Sequence, residues 1–559
     1  MTEVYFGGDI ITMEQETDHP ESLLVSDGKI AFVGALAEAK RMGEELAKIE
    51  KKPLVEKDLK GRTLMPSFID PHGHISMVAQ FSSFCNLSEC TTFDQMVTTL
   101  EEYKEKNVIT AEGMIVGNGY DHNFLEEQVH PTKAVLDQVS AQIPVFVMHT
   151  SGHMGVANSA LLQLAGLTDD TPDPEGGRYG RDEAGNLDGY VEETPAMTKV
   201  LLTAFPRIKG DYVQQIMDAQ QTYLKNGITT IQDGAAGYQT MQGLAEIAKN
   251  HLLKLDVVSY VMTHELEQTL AVYGDYFQHY QNRLKIGGAK IVLDGSPQGK
   301  SAWLSKPYEG ETDYCAYPTH PDEDVYEAAK AAVEGKYQLL AHCNGDAASQ
   351  QYIDCYTRAV EAVTGISGTE NVSEKSKELD LRPVMIHCQT VRDDQLDRMA
   401  QLRMIPSIFI AHTYYWGDIH LKNLGPVRGA HISPAKAALE RGLVYNFHQD
   451  PPVVNPDMMH TVWCAVNRIT RKGQSIGADQ RIGVYDALKG VNINGAYEYH
   501  EENQKGSLRV GKLADLVILD QNPLKTDKMK LATVKVLATI KEGETVYQTE
   551  EKLPASSAL

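Results

Sequence analysis

Nowhere in the 559 residues are there the roughly 18 consecutive apolar positions that a membrane-crossing helix requires, so no span is expected. Cysteine is scarce. The seven present are odd in number and form neither a CxxC pair nor a disulfide framework, which fits a reducing cytoplasm. Basic charge is in deficit. A formal net charge of -24 leaves no basic stripe for nucleic acid and no attraction to anionic lipid. The opening Met1–Asp9 lacks the basic segment and apolar stretch of a secretory signal, so a cytoplasmic location is the expectation. There are no internal repeats and no low-complexity tracts. The composition that remains, 42% hydrophobic and 23% charged, is that of a soluble globular enzyme. The length exceeds one compact core and calls for two or three structural units.

Residues 1–63 read as short alternating segments broken by Gly and Asp, such as Ser22–Val25, the turn Ser26-Asp27-Gly28, and Lys29–Gly34. That texture predicts a small antiparallel sheet. It returns only after residue 504, in Leu516–Leu519 and in the candidate hairpin Val534–Ile540 with Glu544–Tyr547. A β-sandwich domain built from both chain ends, 1–63 plus 504–559, is therefore expected around a central unit at 64–503.

In that central unit apolar runs alternate with helical stretches, as they do over a parallel sheet. The runs are Leu64–Ile69, Ile228–Gln232, Leu255–Met262, Ala289–Leu293, Gln338–Ala341, Pro383–Ile386, Ile405–Ile410 and Leu443–Phe447. Eight is the number that closes a (β/α)8 TIM barrel, so the expected class is α/β. The gap between the first two runs far exceeds a βα connection and predicts an insertion lobe at about 85–210.

The first run ends in His72-Gly73-His74, whose imidazoles point to one side of an extended backbone. Alone, an HxH pair is weak evidence of a metal site. The ends of the other runs strengthen it: Lys290 lies in the fourth, His342 ends the fifth, His387 the sixth, and Asp450 follows the eighth. In a parallel barrel these positions share one rim. Several imidazoles with a carboxylate suit zinc, with manganese, iron or nickel conceivable. His448 stands two residues before Asp450 as a supporting partner. Lys300, in the loop after the fourth run, is a candidate for an anionic substrate group. His412 and Trp416 with the tyrosines between them are candidates for an aromatic pocket wall.

The chain also resembles the amidohydrolase superfamily, in the branch called amidohydrolase family 3, which includes N-substituted formamide deformylases. The resemblance rests on Gly61–His74, Ser151-Gly152-His153-Met154-Gly155-Val156-Ala157-Asn158-Ser159, Leu293-Asp294-Gly295-Ser296, His448-Gln449-Asp450-Pro451-Pro452 and Gly511–Val517. Asn118-Gly119-Tyr120-Asp121 is similar to a further branch motif, with Tyr120 where Trp is usual.

The resemblance implies a metal-dependent hydrolase of non-peptide carbon–nitrogen bonds acting on a small amide, N-substituted formamide or cyclic imide. Esterase, lactonase or deaminase chemistry is the alternative, and a non-catalytic scaffold or regulator a further one. It implies that His72, His74 and Asp450 hold one divalent ion and His342 and His387 a second. Lys290 would be carboxylated on Nζ and bridge the two, with a site for one ion only as the alternative. Asp450 would carry the proton from water to the leaving nitrogen, His153 would touch substrate or oxyanion, and His149 and Tyr120 would line the substrate site. A small molecule is the expected partner, and a homodimer the commonest arrangement for such an enzyme.

Overall fold

The computed structural model describes residues 2–51, 53–110, 112–204, 207 and 211–549. Gly210, the expected end of the insertion, and residues 550–559 of the expected β-domain lie outside the described residues. The chain forms two compact units, residues 1–76 with 217–559, and residues 77–216.

The first unit is organised on an eight-stranded parallel sheet. Its strands are β1 (Phe68–Ile69), β2 (Ile228–Ala236), β3 (Asp256–Met262), β4 (Leu284–Val292), β5 (Gln338–Cys343), β6 (Val384–His387), β7 (Ile405–Ile408) and β8 (Asn446–Phe447). Each pairs parallel with the next, and helices such as Asp322–Gly335 and Asp346–Thr364 fill the connections. β3 reads Asp-Val-Val-Ser-Tyr-Val-Met and is buried almost throughout, the pattern of a strand covered on both faces. β1 and β8 end the ladder. The segments after them meet where the Asp450 N–H donates to the His72 carbonyl at 3.3 Å.

The expected first strand, Leu64–Ile69, is divided between two sheets. Thr63–Pro66 pairs antiparallel with Leu516–Leu519, Leu64 opposite Ile518, whereas Phe68–Ile69 pairs with β2. Pro66 brings no N–H to extend the first ladder. Ser67 still donates to Asp515 O at 3.0 Å, but Phe68 donates to Gly227 O at 2.9 Å. The crossing needs glycine at 227, where φ is +80 and a Cβ would lie 2.9 Å from Val517 Cγ2 and 3.0 Å from the Phe68 ring. β4 begins earlier than read and β8 is only two residues long, because Leu443 to Tyr445 precede the ladder without joining it.

Two small sheets complete this unit. One has the order Lys29–Gly34, Ser22–Ser26, Glu3–Phe6, Val55–Asp58; the other runs Asp9–Ile10, Thr63–Pro66, Leu516–Leu519, Val536–Lys541, Glu544–Gln548. Both contribute to one apolar cluster that includes Tyr5, Leu23, Leu64, Leu516 and Ile540. Each such fully buried aliphatic side chain is worth about 1.5–3 kcal/mol. The antiparallel expectation needs correction, since Glu3–Phe6 with Val55–Asp58 and Asp9–Ile10 with Thr63–Pro66 are parallel pairs. In each, a long excursion separates the partners, which frees the returning strand from hairpin geometry.

The second unit holds a six-stranded mixed sheet in the order Arg178–Arg181, Leu187–Glu192, Met154–Ala157, Val145–His149, Ile115–Tyr120, Cys85–Asn86. Asn158, the one asparagine of the segment Ser151–Ser159, fastens it. Its Oδ1 accepts from the Val145 and Leu161 amides, both at 3.0 Å, and its Nδ2 donates to Ser140 O and Ile143 O. The first bond reaches a neighbouring strand and the second caps the helix Ser159–Leu164.

All seven cysteines are free thiols. Among the described residues no helix is long and apolar enough to cross a membrane.

Candidate metal centre

Five of the six proposed ligands cluster at the carboxyl ends of the parallel strands by direct contact. His74 Nε2 lies 3.1 Å from Asp450 Oδ1 and His72 Nε2 3.6 Å from the same oxygen. His387 Nε2 is 4.0 Å from Asp450 Oδ2, and Lys290 Nζ is 3.5 Å from His72 Nε2. His342 joins through its ring, whose centroid is 4.5 Å from that of His387. His387 and Asp450 both have left-handed backbones, φ +77 and +53. That conformation costs a non-glycine residue on the order of 1–3 kcal/mol and persists where surroundings enforce it.

Three of these imidazoles, those of His72, His342 and His387, are oriented from behind. Gln232 Nε2 donates to Pro71 O at 2.6 Å, so its Oε1 is the acceptor facing His72 Nδ1, also at 2.6 Å. His72 therefore carries its proton on Nδ1 and presents the Nε2 lone pair. The Asp294 carboxylate accepts from His342 Nδ1 at 3.1 Å. Asp294 is fixed in turn by the Asn344, Gly345 and Trp303 amides. His387 Nδ1 faces His448 Nε2 at 3.1 Å, and His448 Nδ1 faces Ser407 Oγ at 2.9 Å. Such supports hold a ligand's tautomer and raise its basicity.

The electrostatics favour neutral His72, His387 and His448 rings around an anion. Burial, then the Lys290 charge, holds His72 well below the ordinary histidine range; burial and the His342 ring do the same to His387. His448 is pulled by burial to about 3. Burial raises Asp450, but His74, His448 and Lys290 outweigh it and leave the carboxyl lowered. Burial brings the Lys290 ammonium down to about 8 against the opposing pull of Asp450.

A cation fits this donor set. Asp450 Oδ1 is buried without a hydrogen bond, although two ring nitrogens approach it. A carboxylate oxygen facing the lone pair of His72 Nε2 is resolved by a shared cation. The three atoms belong to one of two groups of potential metal ligands among the described residues. Their separations resemble the roughly 3.3–3.4 Å edge of a tetrahedron with 2.0–2.1 Å bonds.

The remaining candidates lie as follows. Lys300 Nζ is paired with Glu311 Oε1 at 2.8 Å, which offsets the charge an anionic group would use. His412 and Trp416 are buried with ring centroids 4.5 Å apart, and His412 Nδ1 faces His420 Nε2 at 3.1 Å. In the second unit, Tyr120 is buried with its hydroxyl 3.0 Å from His130 Nδ1, His149 Nε2 faces His122 Nδ1 at 3.2 Å, and His153 Nδ1 faces Glu193 Oε2 at 3.1 Å.

Sequence reasoning gave no role to Gln232, Asp294 or Glu498. Asp294 lay in a quoted motif. Gln232 closes the second apolar run, where its polarity was the available signal. Glu498 accepts from Asn446 Nδ2 at 2.6 Å and Gln232 Nε2 at 3.3 Å, a contact across the chain with no local signature.

Residues 56–547 match the model of a family described as "Amidohydrolase family". The chain is 25% identical over 559 residues to N-substituted formamide deformylase of Arthrobacter pascens, covering 96% of each. It is also 25% identical to Protein LONG AFTER FAR-RED 3 of Arabidopsis thaliana, over 97% of this chain and 90% of that one. The crystal structure of an uncharacterized metal-dependent hydrolase from Pyrococcus horikoshii superposes with a TM-score of 0.75 at 24% identity, covering 94% of this chain and 99% of that one.

Proposed function

Because this chain belongs to the amidohydrolase family, we propose that it is a metal-dependent hydrolase of a non-peptide carbon–nitrogen bond in a small amide, N-substituted formamide or cyclic imide. The observation that carries the reading is the convergence of His72, His74, Lys290, His387 and Asp450, carried by four strands of one parallel sheet, with His342 of a fifth beside them. The formamide deformylase named above supports the bond class. The eight-strand sheet is read as the TIM-type barrel, and the paired small sheets as its sandwich domain.

Divalent ions held there, zinc by preference, would supply Lewis acidity toward the scissile carbonyl and a lowered water pKa. His72, His74 and Asp450 would hold one ion, and His342 and His387 another. Lys290, whose burial favours the neutral amine, would be carboxylated on Nζ and bridge them. Asp450, ionised and in contact with His72 and His74, accepts the proton of the attacking water and returns it to the leaving nitrogen. His448 holds His387 in place. His153 is proposed to contact substrate.

The test is hydrolysis of N-substituted formamides, N-acyl amines and cyclic imides by zinc-loaded protein, with Asp450→Asn and Lys290→Ala alongside. Expected are turnover by the parent, at least a hundredfold loss in Asp450→Asn, and fewer ions per chain in Lys290→Ala. A zinc-loaded parent that cleaves esters but no amide, or nothing at all, would overturn the reading.

A further inference from the structure

The second unit contains a constellation that the proposed reaction does not use. Asp121 and His122 directly follow the strand Ile115–Tyr120, and His149 ends the neighbouring parallel strand Val145–His149. The register slips between Met148 and His149, so that His149 stands opposite Tyr120 instead of the next residue in step. The slip brings the His149 ring against the Asp121-His122 pair. His122 Nδ1 and His149 Nε2 are 3.2 Å apart, and Asp121 Oδ1 lies 3.5 Å from His149 Nε2 and 3.9 Å from His122 Nδ1.

We propose that Asp121, His122 and His149 form a transition-metal site of the second unit, separate in its ligands from the cluster around Asp450. The three atoms all lie within 4.8 Å of one another. Their spacings bracket the roughly 3.3–3.4 Å edge expected when nitrogen and oxygen ligands surround zinc at 2.0–2.1 Å. Two imidazoles and one carboxylate select zinc, cobalt or nickel over magnesium or calcium, which demand oxygen-rich shells.

The surroundings hold these ligands still. Asp121 Oδ1 accepts from both the amide and the side-chain nitrogen of Asn123 at 2.9 Å. Ser151 meets His149 Nδ1 with its amide N–H at 3.1 Å and its hydroxyl at 2.9 Å, so that Nε2 is the nitrogen turned to the group; an ion bound there moves the ring proton to Nδ1, where the Ser151 hydroxyl oxygen accepts it. The His130 ring lies 4.0 Å from that of His122 and is anchored by the Tyr120 hydroxyl. Asp121 and His149 are buried, whereas the His122 side chain keeps 22% of its exposure. Three protein ligands with one partly open side leave a coordination position for water or a small anion, as in zinc sites that exchange ligands.

The proposal does not depend on hydrolytic activity. The test uses the full-length chain, stripped of metal and titrated with cobalt(II), whose visible absorption reports tetrahedral nitrogen and oxygen ligation. His72→Asn/His74→Asn weakens the Asp450 cluster; His122→Ala is added to it because His122 is the ligand whose loss disturbs packing least. The double variant is expected to retain one cobalt ion with tetrahedral absorption, and the added His122→Ala to weaken that binding at least a hundredfold. Equal cobalt affinity with and without His122 overturns the proposal, as does no binding by a folded double variant. Should the variants fail to fold, zinc-edge anomalous scattering from crystals of the zinc-loaded parent decides. A peak between Asp121, His122 and His149 supports the site whether or not the other cluster is occupied. No peak there overturns it.

Discussion

His448 stands directly behind His387, its Nε2 3.1 Å from the Nδ1 of His387, and is itself braced by Ser407 Oγ at 2.9 Å. His448→Ala should therefore weaken the ion shared with His387 by about 10–100-fold, the usual effect of losing an outer partner. Competition with a chromogenic chelator measures this. Unchanged affinity would make His448 a packing residue only.

Gly234 is the residue that leaves room for the His72 ring. A Cβ there would lie 2.5 Å from His72 Cε1 and 2.8 Å from its Nδ1. Gly234→Ala is expected to displace the ring from Gln232 and lower metal content, whereas Gly274→Ala, where a Cβ meets nothing within 4 Å, should leave it unchanged. Elemental analysis of the purified variants checks both, and full occupancy in Gly234→Ala would contradict the steric argument.

Burial pushes the Glu498 carboxyl up to about 8 from an ordinary 4.5. The folded chain then keeps a proton that the unfolded chain has released, so the contribution to stability is intact below 4.5 and declines as pH rises toward 8. The limiting slope is about 1.4 kcal/mol per pH unit. Glu498→Gln removes that decline. Urea unfolding at pH 5 and pH 8 should show a larger loss in the parent than in the variant; equal losses would show that Glu498 is ionised in the fold.

Arg468 is fully buried, and its guanidinium donates to Ile476 O, Ser433 O and Ile432 O at 2.7–2.8 Å. Arg468→Met leaves the Ile476 and Ile432 carbonyls without that donor, at about 1–3 kcal/mol for each that water cannot reach, while Ser433 O keeps the Ala435 amide at 2.8 Å. A destabilisation of about 3–5 kcal/mol is expected in denaturant unfolding. A loss below about 1 kcal/mol would mean that solvent reaches the pocket.

The closeness of the strand-end residues proposed as ligands was legible in the sequence because a parallel strand puts its last residues at one rim whatever the intervening distance. His72, His342 and His387 each follow an apolar run, and this pattern alone located them. Less visible was anything that depends on pairing between remote segments. Leu64–Ile69 is one unbroken apolar run, and no local signal reports that its first half pairs with Leu516–Leu519 and its second with β2. The Asp121, His122 and His149 group escaped for a related reason: a register slip between two strands brings it together, and registers are set by contacts, not composition. Lys300 and Trp416 were read by position in the loops, which fixes neither the ion pair with Glu311 nor burial against His412.

The division of that first run at Ser67 also bears on the order of events during synthesis. His72 and His74 emerge early, yet the strand that secures the segment before them, Leu516–Leu519, is made close to the other end of the chain. Long-range pairing of this kind is slow to form and leaves its early partner uncovered meanwhile. The Thr63–Pro66 ladder must therefore wait until residue 516 has been made, whereas the histidine pair is tied by earlier residues, through Phe68 to Gly227, Asp70 to Thr230 and His74 to Pro451, so a ribosome-bound fragment that stops short of residue 516 would hold the centre from one side only.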